Sequence, residues 1–258
     1  MMSNHTNNDN TLPKKAELLR NEWLVTYTSQ FELLWAQVIK LNSNLYILET
    51  ISHFPFNVFM INDNLCWSLI ACALYESCIM IIWRVVVDND PASLGLRSFK
   101  NELLKNTQNT NAKNLILERL KSVDFDRRVG TAEKHIRKLR HSLFAHLDRE
   151  VVSCAQAGGK GITIIPIDQL KTICDAINEL IAAISFDTGR ACIYMQYSKD
   201  VIHPIGTDSR PDIEKILDHL AQSSPLLSMP EQQPKYWERI RHVFTREEIE
   251  QYNIYRCK

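Results

Sequence analysis

Between Leu65 and Val87 the chain runs for 23 residues with two charges, Glu76 and Arg84. A stretch this long and this apolar either crosses a bilayer or lies inside protein. A carboxylate midway and a guanidinium near the end are both costly in lipid. The sequence therefore favours a helix buried at the centre of a soluble core, running from an N-cap at Asp63 to Val87. The other elements are read around this one.

Breakers are scarce, with 7 Gly and 9 Pro in 258 residues, which favours helices over a turn-rich β-sandwich. A first helix is expected from Pro13 to Leu41, because Leu18, Leu19, Trp23, Tyr27, Phe31, Leu34, Trp35 and Val38 recur at three-to-four spacing. Residues 42–61 are ambiguous, and Pro55 breaks any helix there. Asp88 to Ser93 reads as a turn. Helices are expected over 98–105, 112–123, 129–147 and from Pro166 or Asp168 to Lys199, the last ended by His203-Pro204. Short apolar runs flank Gln156 to Gly161 and suggest a turn or small hairpin. AGGKGIT there does not supply the GxxxxGK[ST] of a phosphate loop.

The expected organisation is a polar, Asn-rich tip over residues 1–12, a helical bundle over 13–204 and a helical C-terminal extension over 205–258. The tip has no apolar stretch of the kind a signal peptide needs. Seven cysteines without a CxxC pair read as reduced thiols, mostly buried, in a cytoplasmic protein. His203, His219 and His242 show no metal-ligand spacing, and neither metal nor cofactor is expected.

Chemistry concentrates in Lys138 to Arg149, KLRHSLFAHLDR, where Arg140 and His146 stand six positions apart with His141 among the five residues between them. Alone the spacing means little, since a chain with this many arginines and histidines holds on the order of one such pair by chance. Geometry and charge add weight. On a helix Ala132, Ile136, Leu139, Leu143 and Leu147 form one apolar stripe. Arg140 and His146 flank that stripe, roughly 120° apart and about 9 Å apart along the axis. They are poorly placed to share one bond within a single helix. Two copies meeting about a twofold axis bring an Arg and a His from each chain into one cleft. Arg119 to Arg149 also holds nine Lys or Arg against four acids, in a chain whose net charge is zero. Such a patch suits a polyanion, with Lys134, Arg137, Lys138 and Arg149 as candidate phosphate contacts.

LRHSLFAHLDR resembles the signature of the HEPN superfamily, an Arg followed by a polar residue, then three to four intervening residues, then a His. The trailing AHLD is most similar to the abortive-infection members of the U type. Upstream, Trp83-Arg84-Val-Val-Val-Asp88, then Asn-Asp-Pro, Ser93, Leu94 and Leu96, resembles the arginine–aspartate–turn–leucine stretch that ends an earlier helix in those proteins. The resemblance spans about Leu65 to Leu147 and does not reach 205–258. It implies an all-α, HEPN-type antiparallel helical bundle that dimerises and cuts RNA without a metal, leaving a 2′,3′-cyclic phosphate. On this resemblance His146 is the general acid or base and Arg140 holds the phosphate. His141 fills the polar position between them and orients the phosphate or shares the proton work. Some HEPN toxins carry, just after the motif histidine, a tyrosine that a partner enzyme modifies. Leu147 and Asp148 stand there instead, so that mode of neutralisation by an antitoxin does not carry over.

Glu76, in the apolar helix, is a candidate to pair with a motif arginine across the core. The competing reading of the basic segment is a solvated helix face. The protein would then be a non-catalytic helical module that binds RNA or a partner protein through the same charges.

Overall fold

The structure, a computed structural model, describes residues 13–54, 65–88, 90, 93–140, 164–187, 213, 216 and 217. Among these residues it is all-α. Seven helices follow in order: α1 (Lys15–Leu18), α2 (Leu24–His53), α3 (Leu65–Ile82), α4 (Leu96–Lys105), α5 (Thr110–Val123), α6 (Phe125–Leu139) and α7 (Ile167–Ile184). A 3₁₀ turn, Asn21–Trp23, leads into α2, and a π turn, Trp83–Val87, ends α3. No strand occurs among the described residues, where Leu19 and Thr107 make one isolated antiparallel bridge. Two compact units divide the chain, Met1–Leu45 with Glu76–Tyr194, and Tyr46–Tyr75 with Met195–Lys258.

In the first unit the expected stripe of the first helix is buried from Trp23 to Val38, except Trp35, which is half-exposed. The helix itself is not continuous from Pro13. It breaks at Leu19 and Arg20, which are extended. There the Arg20 N–H donates to the Asn106 carbonyl and the Gln108 N–H to the Leu18 carbonyl, both at 2.9 Å. Backbone groups leaving the helix thus find partners at once in the α4–α5 link. Beyond Leu41 the ambiguous stretch continues as helix to His53. Asn42 does not break it, because its side-chain amide donates back to the Val38 carbonyl at 2.8 Å and is paired with Asn178.

Trp23, Tyr27, Phe31, Phe99 and Phe186 form an aromatic cluster with ring centroids 5.7–6.5 Å apart. Each such pair adds about 0.5–1.5 kcal/mol to what burial gives. α5 and α6 both pack on α7, whose buried face includes Leu170, Ile173, Ile177, Leu180, Ile181 and Ile184. Sequence periodicity predicts that stripe, but α7 stops at Ile184 rather than continuing to Lys199. Phe186 turns into the left-handed region at φ 43° and is fully buried.

The 65–87 segment departs from expectation. It is the one described helix long and apolar enough to cross a membrane, yet only 22% of its most apolar window is buried. Burial is continuous only from Cys78 to Val87, apart from Met80 and Arg84. Leu65, Leu69 and Ile70 are exposed, so the expected all-round burial fails over the first half: the apolar run is longer than the core it enters. The cysteines divide in the same way, with Cys66 and Cys72 exposed and Cys78 and Cys174 buried, all four as free thiols. Burial pushes the Cys78 and Cys174 thiols up to about 12, which keeps both protonated and unreactive near neutral pH.

Candidate active site at the end of α6

α6 begins where Asp124 takes the left-handed conformation, at φ 48°, and turns the chain out of α5. Phe125, Val129, Ala132, Ile136 and Leu139 recur at four- and three-residue intervals, and all are buried. The first three positions of the predicted Ala132–Leu147 stripe thus face the core. Leu143 and Leu147 lie outside the described residues. Asp126 in the first turn and Arg137 and Lys138 in the last complement the helix dipole. Arg140 continues in helical geometry, at φ −59° and ψ −47°, and is half-buried.

The π turn that ends α3 packs against α6 and α4. Its defining bond runs from the Asp88 N–H to the Trp83 carbonyl, five residues back, at 2.8 Å. Asp88 then accepts from the Asp90 N–H at 3.2 Å, and Ser93 bonds the Asp90 carbonyl through its own N–H and hydroxyl, both at 2.9 Å. The aspartate–turn–leucine stretch is therefore a hydrogen-bonded corner that delivers the fully buried Leu96 to α4. Gly95 caps α4 against the π turn, and a methyl at its Cα would meet the Val85 carbonyl oxygen at 3.3 Å.

Trp83, 9% exposed, receives both arginines of the last turn. The guanidinium carbon of Arg140 lies 5.1 Å from the ring centroid and that of Arg137 5.5 Å, both within cation–π range. An ion-pair chain leads to this platform. Lys100 pairs with Asp126 at 3.2 Å, and Asp126 with Arg97 at 3.1 Å. Arg97 also pairs with Glu133 at 3.0 Å, and Glu133 with Arg137 at 3.3 Å. Partial burial works against the charged form of Arg97, but its bonds to Glu133 and Asp126 outweigh this and raise its pKa above the ordinary arginine value. For Asp126 burial again opposes ionisation, and Lys100 and Arg97 together bring its carboxyl below the usual range. What Asp126 contributes to stability is present above the ordinary carboxylate pKa and is lost as pH falls through its lowered one. With 61% of its side chain exposed, that contribution is screened and small.

The structure places the predicted residues unevenly. Arg140 and Arg137 share one indole. Lys134 and Lys138 are exposed and in no ion pair among the described residues. Glu76 is exposed rather than in the core, and no described arginine pairs with it. His141, His146 and Arg149 lie outside the described residues. Sequence reading missed Trp83, Glu133, Arg97 and Asp126. The four-residue spacing of Glu133 and Arg137 is a signal it could have used. Nothing local announces that Arg97 reaches across 36 residues to Glu133.

Among the described residues the chain falls in the all-α class, a helical bundle with two arginines over one tryptophan at the basic end of α6. Within that class the chain belongs to the HEPN_AbiU2 family, described as AbiU2, which matches residues 28–201. The match takes in α3 through α7, most of α2 and the whole of the Lys138 to Arg149 segment, and it makes this an abortive-infection HEPN-type protein. No curated protein and no solved structure matches the chain.

Proposed function

We propose that the protein is a metal-independent endoribonuclease acting through Arg140 and His146, with His141 assisting. The observation that carries this reading is the half-buried Arg140 guanidinium, held over Trp83 at the end of the basic helix where the family motif begins. RNA carries its own nucleophile. The ribose 2′-oxygen attacks the adjacent phosphorus, the bond to the 5′-oxygen breaks, and a 2′,3′-cyclic phosphate and a 5′-hydroxyl result. One proton leaves the 2′-hydroxyl and one reaches the departing oxygen. An imidazole suits both transfers, since it titrates near neutral pH, at about 6.5 when unperturbed. Arginine's planar fork suits the phosphate and does not lose its proton. Lys134, Lys138 and Arg149 supply backbone contacts to RNA. Arg137 contributes less, because it is already paired with Glu133. The active form is a homodimer with a composite cleft. The setting is cytoplasmic phage defence or toxicity, with a restraining partner protein in the toxin case.

A second reading draws on one observation: Lys134 and Lys138 stand exposed and outside the ion-pair chain, as phosphate contacts of a non-catalytic binding module would. Cleavage of RNA in excess EDTA, comparing wild type with His146→Ala, separates the two. The nuclease reading expects cyclic-phosphate ends from wild type alone. A module shifts RNA on a gel with either protein and cuts with neither.

A further inference from the structure

We propose that Gly130 forms part of the RNA-binding surface: its missing side chain lets the sugar–phosphate backbone lie directly against α6 between Arg127 and Lys134. The inference rests on that part of the proposed function that makes RNA the ligand.

Gly130 stands in the interior of α6, exposed and on helical backbone. Glycine is the poorest helix former after proline. Inside a helix it is usually accounted for by a left-handed backbone or by a crowded neighbour. Neither holds here. The backbone is helical, and a methyl built on the Cα meets nothing within 4 Å among the described residues. Gly95 shows the contrast, since a methyl there meets the Val85 carbonyl oxygen at 3.3 Å. A ligand that comes close to the helix at Gly130 accounts for the glycine.

The side chains around the gap say what that ligand is. Arg127, Gly130, Lys134 and Lys138 follow at spacings of three, four and four, which keeps them on one face of α6. The cations of this row are all exposed and extend roughly 16 Å along the axis. Lys134 and Lys138 are in no ion pair among the described residues. Arg127 pairs with Asp124, but with 82% of its side chain exposed that pair is weak in water. Asp126 and Glu133 stand on the neighbouring flank and are bound to Arg97, Lys100 and Arg137. A second copy of the same face would set cation against cation. A phosphodiester strand instead finds a cation on each side of a gap where it can touch the helix. The row ends at Lys138, two residues before Arg140, so a strand laid along it runs toward the residues assigned to cleavage.

The test uses the full-length protein as wild type, Gly130→Ala and Gly130→Gln. It reads thermal unfolding, solution mass and affinity for a mixed-sequence 2′-O-methyl RNA oligonucleotide, which keeps the phosphates but has no 2′-hydroxyl to attack. The expected result pairs two opposite changes. Both variants unfold at higher temperature, by about 2–4 °C for Ala. Both bind the oligonucleotide more weakly, by roughly tenfold for Gln. A variant more stable than wild type cannot lose affinity by misfolding. Arg127→Gln should lower the slope of log K against log salt by about 0.7. Gly130→Gln with wild-type affinity overturns the proposal. So does a Gly130→Gln whose solution mass changes while its affinity does not, which assigns the gap to a protein contact. A wild type that holds no oligonucleotide overturns it as well. Cleavage of unmodified RNA is scored separately. Gly130-dependent binding by a wild type that cuts no RNA upholds the binding surface and removes the ribonuclease reading. Cleavage by wild type with affinity indifferent to Gly130→Gln removes the surface and leaves the ribonuclease reading standing.

Discussion

Asn42 and Asn178 face each other with side-chain amides that each donate and accept, at 2.8 and 2.9 Å. The Cys174 thiol adds a donor to the Asn42 oxygen at 3.3 Å. Asn178 is 5% exposed in the middle of the α7 apolar face, where a polar group without a partner is expensive. The reciprocal pair removes that penalty and fixes the register of α2 against α7 within the first unit. Removing one partner is the damaging change, because it strands the other. Asn178→Ala should therefore cost about 1–3 kcal/mol in denaturant unfolding, and Asn42→Ala a similar amount. The double variant should lose clearly less than the sum of the two. Additive losses would mean that the two amides do not act as a pair. Neither residue advertised this in the sequence: Asn42 opens a stretch that periodicity leaves ambiguous, and Asn178 interrupts an apolar stripe without naming its partner.

At the scale of elements, the periodicity of apolar residues located the buried faces of α2, α6 and α7 but not their ends, and the difference has a physical origin. A stripe reports which residues can be buried together. An end depends on what satisfies the last carbonyls, and that is supplied from elsewhere in the chain. α7 is the clearest case. No Gly or Pro follows Ile184 directly, so the sequence reads as helix well beyond it. The helix stops because Arg119, on α5, donates to the Ala183 and Ala182 carbonyls at 2.8 and 3.2 Å. The Tyr27 hydroxyl, on α2, donates to the Ile184 carbonyl at 2.6 Å. Burial, with Asp187 nearby, pushes the Tyr27 phenol well above its ordinary pKa, so it stays a donor over the working pH range. Arg119→Met keeps most of the apolar stem and removes both bonds. It should destabilise by about 1.5–3 kcal/mol, the usual range for hydrogen bonds to a charged group. Native-state hydrogen exchange should quicken first in the last turn of α7. Uniform quickening across all helices would assign Arg119 to general packing instead. The break at Leu19 and the helix through Asn42 follow the same rule. The buried Ala132, Ile136 and Leu139 of α6, which depend on local pattern, were legible from sequence alone, whereas its start at Phe125 was not, since periodicity placed it at Val129. Trp83 as the common platform of Arg137 and Arg140 was not legible either, because it depends on how α3 ends.

Across the whole molecule a net charge of zero coexists with a concentrated basic segment that lies within the family match, and the composite-cleft proposal makes a demand that no single chain can meet. On one helix Arg140 and His146 would stand roughly 120° apart around the axis and about 9 Å apart along it, too far to act as neighbours on one phosphate. A twofold pairing of chains removes the difficulty by letting an arginine from one copy meet a histidine from the other. The purified protein should then have a solution mass twice the 29.9 kDa of one chain at micromolar concentration. Arg140→Ala and His146→Ala should each be inactive alone. When they are unfolded together and refolded as a mixture, chains that pair across variants carry one intact arginine opposite one intact histidine. A cleft that needs one of each regains activity, at most about a quarter of wild type, since random exchange makes half the dimers mixed and each mixed dimer rebuilds one of two arrangements. A cleft that needs both arginines and both histidines stays silent in the mixture while remaining dimeric. A monomeric wild type that cleaves RNA would remove the composite cleft altogether and require His146 to reach Arg140 within its own chain.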